Sequence, residues 1–307
     1  MRALVVSDLG PTPDAPSRGV FVRDQVAALR RLPGVDVELD EAPPGAPALA
    51  ALARRCAGRR GFDVVHAHYG LSAWPAMAVR GARRVLTCHG TDLRHPRTRR
   101  ITLAALGRLD LVATASASLA REIPGAGVTR GVAVLPCGVS LDRFAPMPRP
   151  EARDALGLDP DEPFLLFPAD PERTVKRFDR AREAAGDARL VALGHTPATE
   201  LPLWINAANA VLVPSDAEGF GLAALEALAC DVPVLATRVG VHPLALDGVD
   251  GCLCAPYEPP AWQAAVRDAL DQHDPRVAGR ARAELLSAER MAARVLIAWQ
   301  HLLHRPH

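Results

Sequence analysis

The sequence predicts an α/β protein made of two doubly wound parallel sheets, and three observations predict it. Short apolar runs recur through both halves without alternating with polar residues, the pattern of strands buried on both faces. Helix-length stretches separate them, giving the β-α-β-α order of a doubly wound sheet. Near residues 142–162 the alternation stops at a proline- and charge-rich stretch and then begins again.

In the first half the runs are ALVVSD (3–8), VDVELD (35–40), DVVHAH (63–68), RRVLTCH (83–89), LDLVATAS (109–116) and GVAVLPCG (131–138). Between the early ones lie VFVRDQVAALRR (20–31) and APALAALARRCAG (46–58), both of helical spacing. The segment DRFAPMPRPEARDALGLDPDEP then reads as a linker plus a short helix. The second series is PFLLFPA (163–169), ARLVAL (188–193), NAVLVPS (209–215), VPVLAT (232–237) and GCLCAP (251–256), and the remainder reads as helix. The expected domains are 1–150 and 151–285, facing each other across a cleft, and a closing helix, 286–307, packing back on the first domain. In such sheets ligands bind at the carboxyl ends of the strands.

A chain of 307 residues with 49% hydrophobic and 23% charged side chains can build full cores and is not expected to be disordered. A net charge of +1 gives no argument for nucleic acid as a partner. The six cysteines form no CxxC pair and read as small buried thiols of a reducing compartment. The opening MRALVVSD is too short an apolar run for a signal peptide. No apolar run is long enough to span a bilayer, so a cytoplasmic protein is expected.

Several nucleotide and hydrolase signatures are missing. There is no G-x-x-x-x-G-K-[ST], no G-x-G-x-x-G after the first run, no H-E-x-x-H and no G-x-S-x-G. Instead a long loop, SDLGPTPDAPSRG, ends in Gly19 at the mouth of a helix, whose free N–H groups suit a phosphate. HAH at 66–68 supplies two imidazoles without a third ligand, so no metal is expected.

The stretch SDAEGFGLAALEALACDVPVLATRVG (215–240) carries the densest chemistry. Its helix reads as if fit for burial on every face, yet holds Glu226 in its middle, with Glu218 in the loop before it. A buried carboxylate is costly without hydrogen-bond donors, from the protein or from a ligand. Gly219 and Gly221 flank Phe220 where the helix starts, allowing close backbone approach to an anion. A nucleotide sugar fits: sugar hydroxyls on Glu218, ribose hydroxyls on Glu226, a diphosphate over the glycines. The residues alone leave open a salt-bridged or solvent-facing Glu226.

Glu218-Gly-Phe-Gly-Leu-Ala-Ala-Leu-Glu226 resembles the EX7E motif of the retaining glycosyltransferases of family 4, which have the GT-B fold. SRGVFVRDQVAALRR, DVVHAHYG, TCHGTDLR, VLPCGVSLDRFAP and LPLWINAANAVLVPS resemble other landmarks of that family, in its order, from residue 1 to about 256. The resemblance implies transfer of a sugar from a nucleotide-diphosphate sugar to an acceptor hydroxyl, with retention and without metal or cofactor. It implies that Glu218 contacts the transferred sugar and Glu226 the ribose. It gives the backbone of Gly219, Phe220, Gly221 and Leu222 to sugar and phosphate, and places Gly19 near the phosphates. His89 would reach toward the donor sugar. Asp92 would either cap the next turn or touch the acceptor. A departing nucleoside diphosphate needs fixed positive charge. In FPADPERTVKRFDRA, Lys176 matches the family lysine, while Ala169 and Asp170 stand where an arginine is usual, leaving Arg173 or Arg177 to substitute.

Other departures are Cys137 for a usual Asn, Ser140 for a usual Asp, Leu244 where a Glu is frequent, and a short ALGHTPATELPLW, the region that helps hold the nucleotide base. The acceptor is expected on the first domain, as a glycan, a lipid-linked or a small molecule. There DLRHPRTRR clusters Arg94, Arg97, Arg99 and Arg100, which suit a phosphorylated acceptor, peripheral contact with anionic lipid at the inner membrane face, or a plain solvated helix face. The expected setting is glycan, glycolipid or envelope polysaccharide synthesis. Two rival readings are a non-catalytic nucleotide-sugar-binding scaffold and a nucleotide-sugar epimerase on the same fold.

Overall fold

A computed structural model describes residues 1–125, 131–194 and 196–304. The chain divides into two compact units, 1–138 with 288–307, and 139–287.

Unit 1 carries strands β1 (Arg2–Ser7), β2 (Asp36–Glu41), β3 (Val64–His68), β4 (Arg83–Cys88), β5 (Leu111–Thr114) and β6 (Val132–Val134). Its helices are α1 (Val20–Arg30), α2 (Ala46–Ala57), α3 (Ala73–Ala76), α4 (Thr91–Arg94), α5 (Pro96–Leu106) and α6 (Ala117–Ala120). The sheet order is β2-β1-β3-β4-β5-β6, with every pairing parallel. Alternate residues of each strand feed opposite cores. Leu4, Val6, Val65, Ala67 and Leu86 face α2, α3 and α5, and Ala3, Val5, Val64 and Val85 face α1 and the last helix. That last helix, α14 (Ala288–Leu303), packs along α1 and buries Met291, Val295 and Trp299.

Unit 2 runs α7 (Arg149–Ala155), β7 (Leu165–Phe167), α8 (Phe178–Ala185), β8 (Leu190–Ala192), α9 (Leu201–Ala207), β9 (Ala210–Val213), α10 (Leu222–Ala229), β10 (Val234–Ala236), α11 (His242–Leu246), β11 (Leu253–Cys254), α12 (Pro259–Leu270) and α13 (Arg280–Glu284). The parallel order is β11-β10-β9-β7-β8. Residues 139–150, grouped above with the first half, pack here: Val139 N–H donates to the Leu286 carbonyl at 3.0 Å, and Arg280 donates to the carbonyls of Phe144 and Leu141.

Two expectations change. The charged stretch around α7 is not a loose linker. Arg149 and Arg153 are buried, donating to the carbonyls of Ala208 and Ala207 and to the side-chain oxygen of Asn209. A guanidinium has five donors, so it can enter the protein by saturating carbonyls at a helix end. Helix α10 is not buried on every face either: Leu222, Ala223 and Glu226 form a half-exposed stripe, while Ala224, Leu225, Ala227, Leu228 and Ala229 are buried. Positions 222 and 226 are four apart and share a face. Glu226 therefore sits on the open stripe and does not have to bear full burial.

Both sheets reverse direction of growth once. In unit 1 the reversal lies between β1 and β3, and in unit 2 between β7 and β9. In open α/β sheets the loops leaving the carboxyl ends of two such strands diverge and leave room for a ligand.

Candidate functional site

In unit 2, the loop after β9 brings Glu218 and the loop after β7 brings Lys176. Lys176 ends a 3-10 turn, Thr174–Lys176, just before α8 rather than beginning the helix. Its Nζ lies 2.7 Å and 2.9 Å from the two carboxylate oxygens of Glu218. Ser215 Oγ donates to Glu218 Oε1 at 2.7 Å. Burial by itself pushes the Glu218 carboxyl up. The Lys176 charge and hydrogen bond, then Ser215 and His242, outweigh it and hold Glu218 below its ordinary value, so it is ionised at neutral pH. The two loops are tied by their backbones, since Asp216 N–H donates to the Val175 carbonyl at 2.9 Å.

Beside this pair begins α10. Its first N–H groups have no carbonyl within the helix to bond. Gly221 precedes it with φ 106, and a Cβ there would come within 2.7 Å of His242 Nε2. His242 Nδ1 lies 2.8 Å from the Thr237 carbonyl and donates to it, so the ring presents a bare Nε2 toward Gly221. Gly240, at φ +59, lets the following loop pass over the site: a Cβ would lie 2.3 Å from the Phe220 carbonyl and 2.9 Å from Glu218 Cβ. Gly219 is half-buried and Phe220 buried. Ser215, His242 and Gly240 were not singled out in the sequence. The run RVGVHP held the signal for two of them, a glycine and a histidine just past a strand end.

The two candidate arginines part company. Arg177 pairs with Asp179 at 2.6 Å and with Asp216 at 3.1 Å, while Arg173 is exposed. An open cavity of about 680 Å³ is lined by Thr174, Arg177, Phe178, Asp179, Arg182 and Asp216, but not by Glu218 or Lys176.

In unit 1, the candidates gather at the carboxyl ends of β1, β3 and β4. Gly19 starts α1 at φ 71, where a Cβ would meet the Leu9 carbonyl at 2.3 Å. Phe21 then places its ring 4.8 Å from that of His89, and Tyr69 stacks on His89 at 5.0 Å. Tyr69 has φ 70, a strained backbone for a non-glycine residue, of the kind that collects at functional sites. His89 Nε2 lies 2.9 Å from His68 Nδ1. Asp92 is buried, and its carboxylate accepts from the backbone N–H groups of His89 and Gly90. That carboxylate holds the turn carrying His89. Arg94 forms an ion pair with Glu122 at 2.8 Å. Among the described residues, no group of three or more His, Cys, Asp or Glu side chains could hold a metal ion. No described helix is long and apolar enough to cross a membrane.

Comparison with known proteins identifies the family and the fold. Residues 4–143 match the family model described as Glycosyltransferase Family 4, and residues 164–272 match Glycosyl transferases group 1. The D-inositol 3-phosphate glycosyltransferase of Actinosynnema mirum is 33% identical over 85% of this chain and 76% of its own. That of Xylanimonas cellulosilytica is 32% identical over 76% and 68%. Among solved structures, sucrose-phosphate synthase from Thermosynechococcus elongatus superposes with a TM-score of 0.71 at 21% identity, covering 98% of this chain and 99% of that one. Anabaena HepE, crystallised with UDP and glucose, gives 0.72 at 15% identity, covering 97% and 99%. The chain is a glycosyltransferase, a compact member of family 4 with the GT-B fold.

Proposed function

We propose that the chain moves a sugar from a nucleoside diphosphate sugar to an acceptor hydroxyl, with retention at the anomeric carbon. The observation that carries this reading is the Lys176–Glu218–Ser215 group beside the N-terminus of α10, at the switch point of the unit 2 sheet. An ionised Glu218 accepts hydrogen bonds from sugar hydroxyls. The α10 amides around Gly219, Phe220, Gly221 and Leu222 meet the diphosphate, where helix-end N–H groups favour an anion. Lys176 counters the charge that grows on the departing phosphate. Glu226, on the half-exposed stripe, accepts from the ribose hydroxyls. Arg173, exposed and close in sequence to Lys176, is the better candidate for a second cation, because Arg177 is committed to Asp179 and Asp216.

In unit 1, Gly19 opens a helix end to phosphate and His89 meets a substrate hydroxyl. Asp92 shapes the His89 turn, and the acceptor lies nearby. Arg94 shares its charge with Glu122, which leaves Arg97 and Arg100 as the exposed cations for an acceptor phosphate or an anionic lipid surface. The names of the relatives make D-inositol 3-phosphate the first acceptor to try. The proposed chemistry uses no metal or cofactor and belongs to glycan, glycolipid or envelope polysaccharide assembly.

The test is a thermal-shift panel of UDP, GDP, ADP and dTDP with their sugars, on wild type and Glu226→Ala. A ligand at about 100 times its dissociation constant adds roughly 2.7 kcal/mol of stability. A shift with one nucleotide, lost in the variant, followed by sugar transfer to an acceptor with the same anomeric configuration, supports the reading. A shift without transfer to any acceptor points to a binding scaffold. Conversion of the donor without acceptor points to an epimerase.

A further inference from the structure

Three imidazoles of unit 1 stand in a row at the carboxyl ends of β3 and β4. His66 and His68 are two apart on β3, so they share a face, and their rings stack at 4.6 Å. His66 Nε2 lies 2.7 Å from the Thr87 hydroxyl, and its ring meets the edge of Trp299 at 5.7 Å. His68 stacks on His89 at 5.2 Å. At the far end, the side-chain amide nitrogen of Gln25, on α1, lies 3.1 Å from His68 Nε2.

We propose that Gln25 and His68 are positioning residues that lock His89 in the tautomer carrying its proton on Nδ1, so that His89 meets substrate as a hydrogen-bond donor. The inference rests on the reading of His89 as a substrate contact. A neutral imidazole has one N–H and one lone pair. The Gln25 amide nitrogen only donates, so His68 Nε2 accepts. The His68 proton is then on Nδ1, 2.9 Å from His89 Nε2, which must accept in turn. The proton of His89 is left on Nδ1. Among the described residues, the group within reach of that nitrogen is the Cys137 sulfur at 4.0 Å, a weak partner that leaves most of the hydrogen bond unspent. Burial keeps the row neutral: it pushes His68 down to about 3 and lowers His66 and His89 as well. Phe21 and Tyr69 wall the His89 ring in its plane.

The experiment is side-chain 15N NMR of the histidines in the full chain, with kinetics, for wild type, Gln25→Glu and His89→Ala. Wild-type His89 should show a protonated Nδ1 and a bare Nε2, against the preference of the free side chain. Gln25→Glu keeps the shape but turns the donor into an acceptor. His68 must then carry its proton on Nε2, and His89 must move its own to Nε2. The expected result is that exchange of His89 signals, with turnover down about tenfold, the worth of one buried hydrogen bond, at an unchanged donor KM, and with a lower melting temperature from the buried carboxylate. A Gln25 that merely packs would change stability and leave the tautomer alone. Wild-type His89 protonated on Nε2, or a tautomer indifferent to Gln25→Glu, overturns the proposal. If the lock is seen but His89→Ala transfers sugar at the wild-type rate, the substrate role of His89 fails and the lock stands, so the two failures are distinguishable.

Discussion

Glu218 holds its charge only through its neighbours. Its ordinary value of 4.5 would rise on burial, and Lys176 and Ser215 bring it below that instead. The sign for stability follows: the contribution is present above the unfolded value and is lost as pH falls through the depressed folded one. Glu218 therefore stays ionised across the neutral range, and any loss of activity between pH 5 and 7 belongs to another group. Glu218→Gln keeps the shape and removes the charge, leaving the Lys176 ammonium half-buried beside a neutral amide. We expect it to lower stability by about 1–3 kcal/mol. We expect kcat to fall by roughly a hundredfold or more, as when a transition-state contact is lost. Lys176→Ala should match it in kcat. Arg177→Ala should lower kcat by less than about fivefold, because its ion pairs are half-exposed and local. Steady-state kinetics and urea titrations of the three variants decide this. A Lys176→Ala enzyme at the wild-type rate would remove the lysine from the mechanism.

The loop between β10 and α11 shows how an element can matter without touching substrate. Gly240 has φ +59, and a Cβ there would press on the Phe220 carbonyl and on Glu218 Cβ. The left-handed backbone alone costs an L-residue about 1–2 kcal/mol, and the steric contact adds to it. Gly240→Ala should thus lose at least that much stability and also displace Glu218, lowering kcat together with melting temperature. Gly34 has a similar φ, +71, but nothing within 4 Å of its Cβ, so Gly34→Ala is the control that carries only the backbone cost. Equal losses from the two would show that the Glu218 loop does not depend on this contact. The strands of both sheets were legible because runs such as DVVHAH and NAVLVPS are apolar on both faces, and parallel sheets are covered on both. Glu218 was legible through its spacing from Glu226. Lys176 was legible through the family resemblance, but its pairing with Glu218 was not, since only the sheet order brings the two loops together; Ser215 hides in a strand-end PS, and His242 comes from a third loop. The short helix α7 was legible, but the burial of its arginines was not, because charge in a proline-rich stretch resembles a linker until its carbonyl partners are known. The stripe of α10 that exposes Glu226 needed the neighbouring helices, since an Ala-Leu repeat has no polar face to mark it.

At the scale of the whole molecule, each unit has its own sheet and its own buried clusters, and the row of histidines belongs to unit 1, while unit 2 buries the single His242. That asymmetry makes a pH prediction that can be located. His66 and His68 are fully buried, and burial lowers both far below the ordinary 6.5. His89 is lowered as well, so below that value the unfolded chain binds three protons that the folded unit refuses, and stability falls as pH drops. Between pH 7.5 and 5.5 the three should remove about 4 kcal/mol. Asp8 and Asp92 act with the opposite sign, since burial raises both: their effect sets in as pH falls through the raised folded values and is complete only below the ordinary 3.8. The loss should therefore be visible before the carboxylates compensate. Hydrogen exchange at the two pH values reads each unit separately: the core amides of β1, β3 and β4 should lose protection by about a thousandfold, the equivalent of that free energy. Those of β7 and β9 should lose at most about tenfold, from His242 alone, once intrinsic exchange is corrected for. His68→Phe should remove about a third of the free-energy effect, because one of the three refused protons is gone. Equal losses in both units would place the acid sensitivity elsewhere, and no loss in unit 1 would mean that the histidine row opens to solvent and accepts its protons while folded.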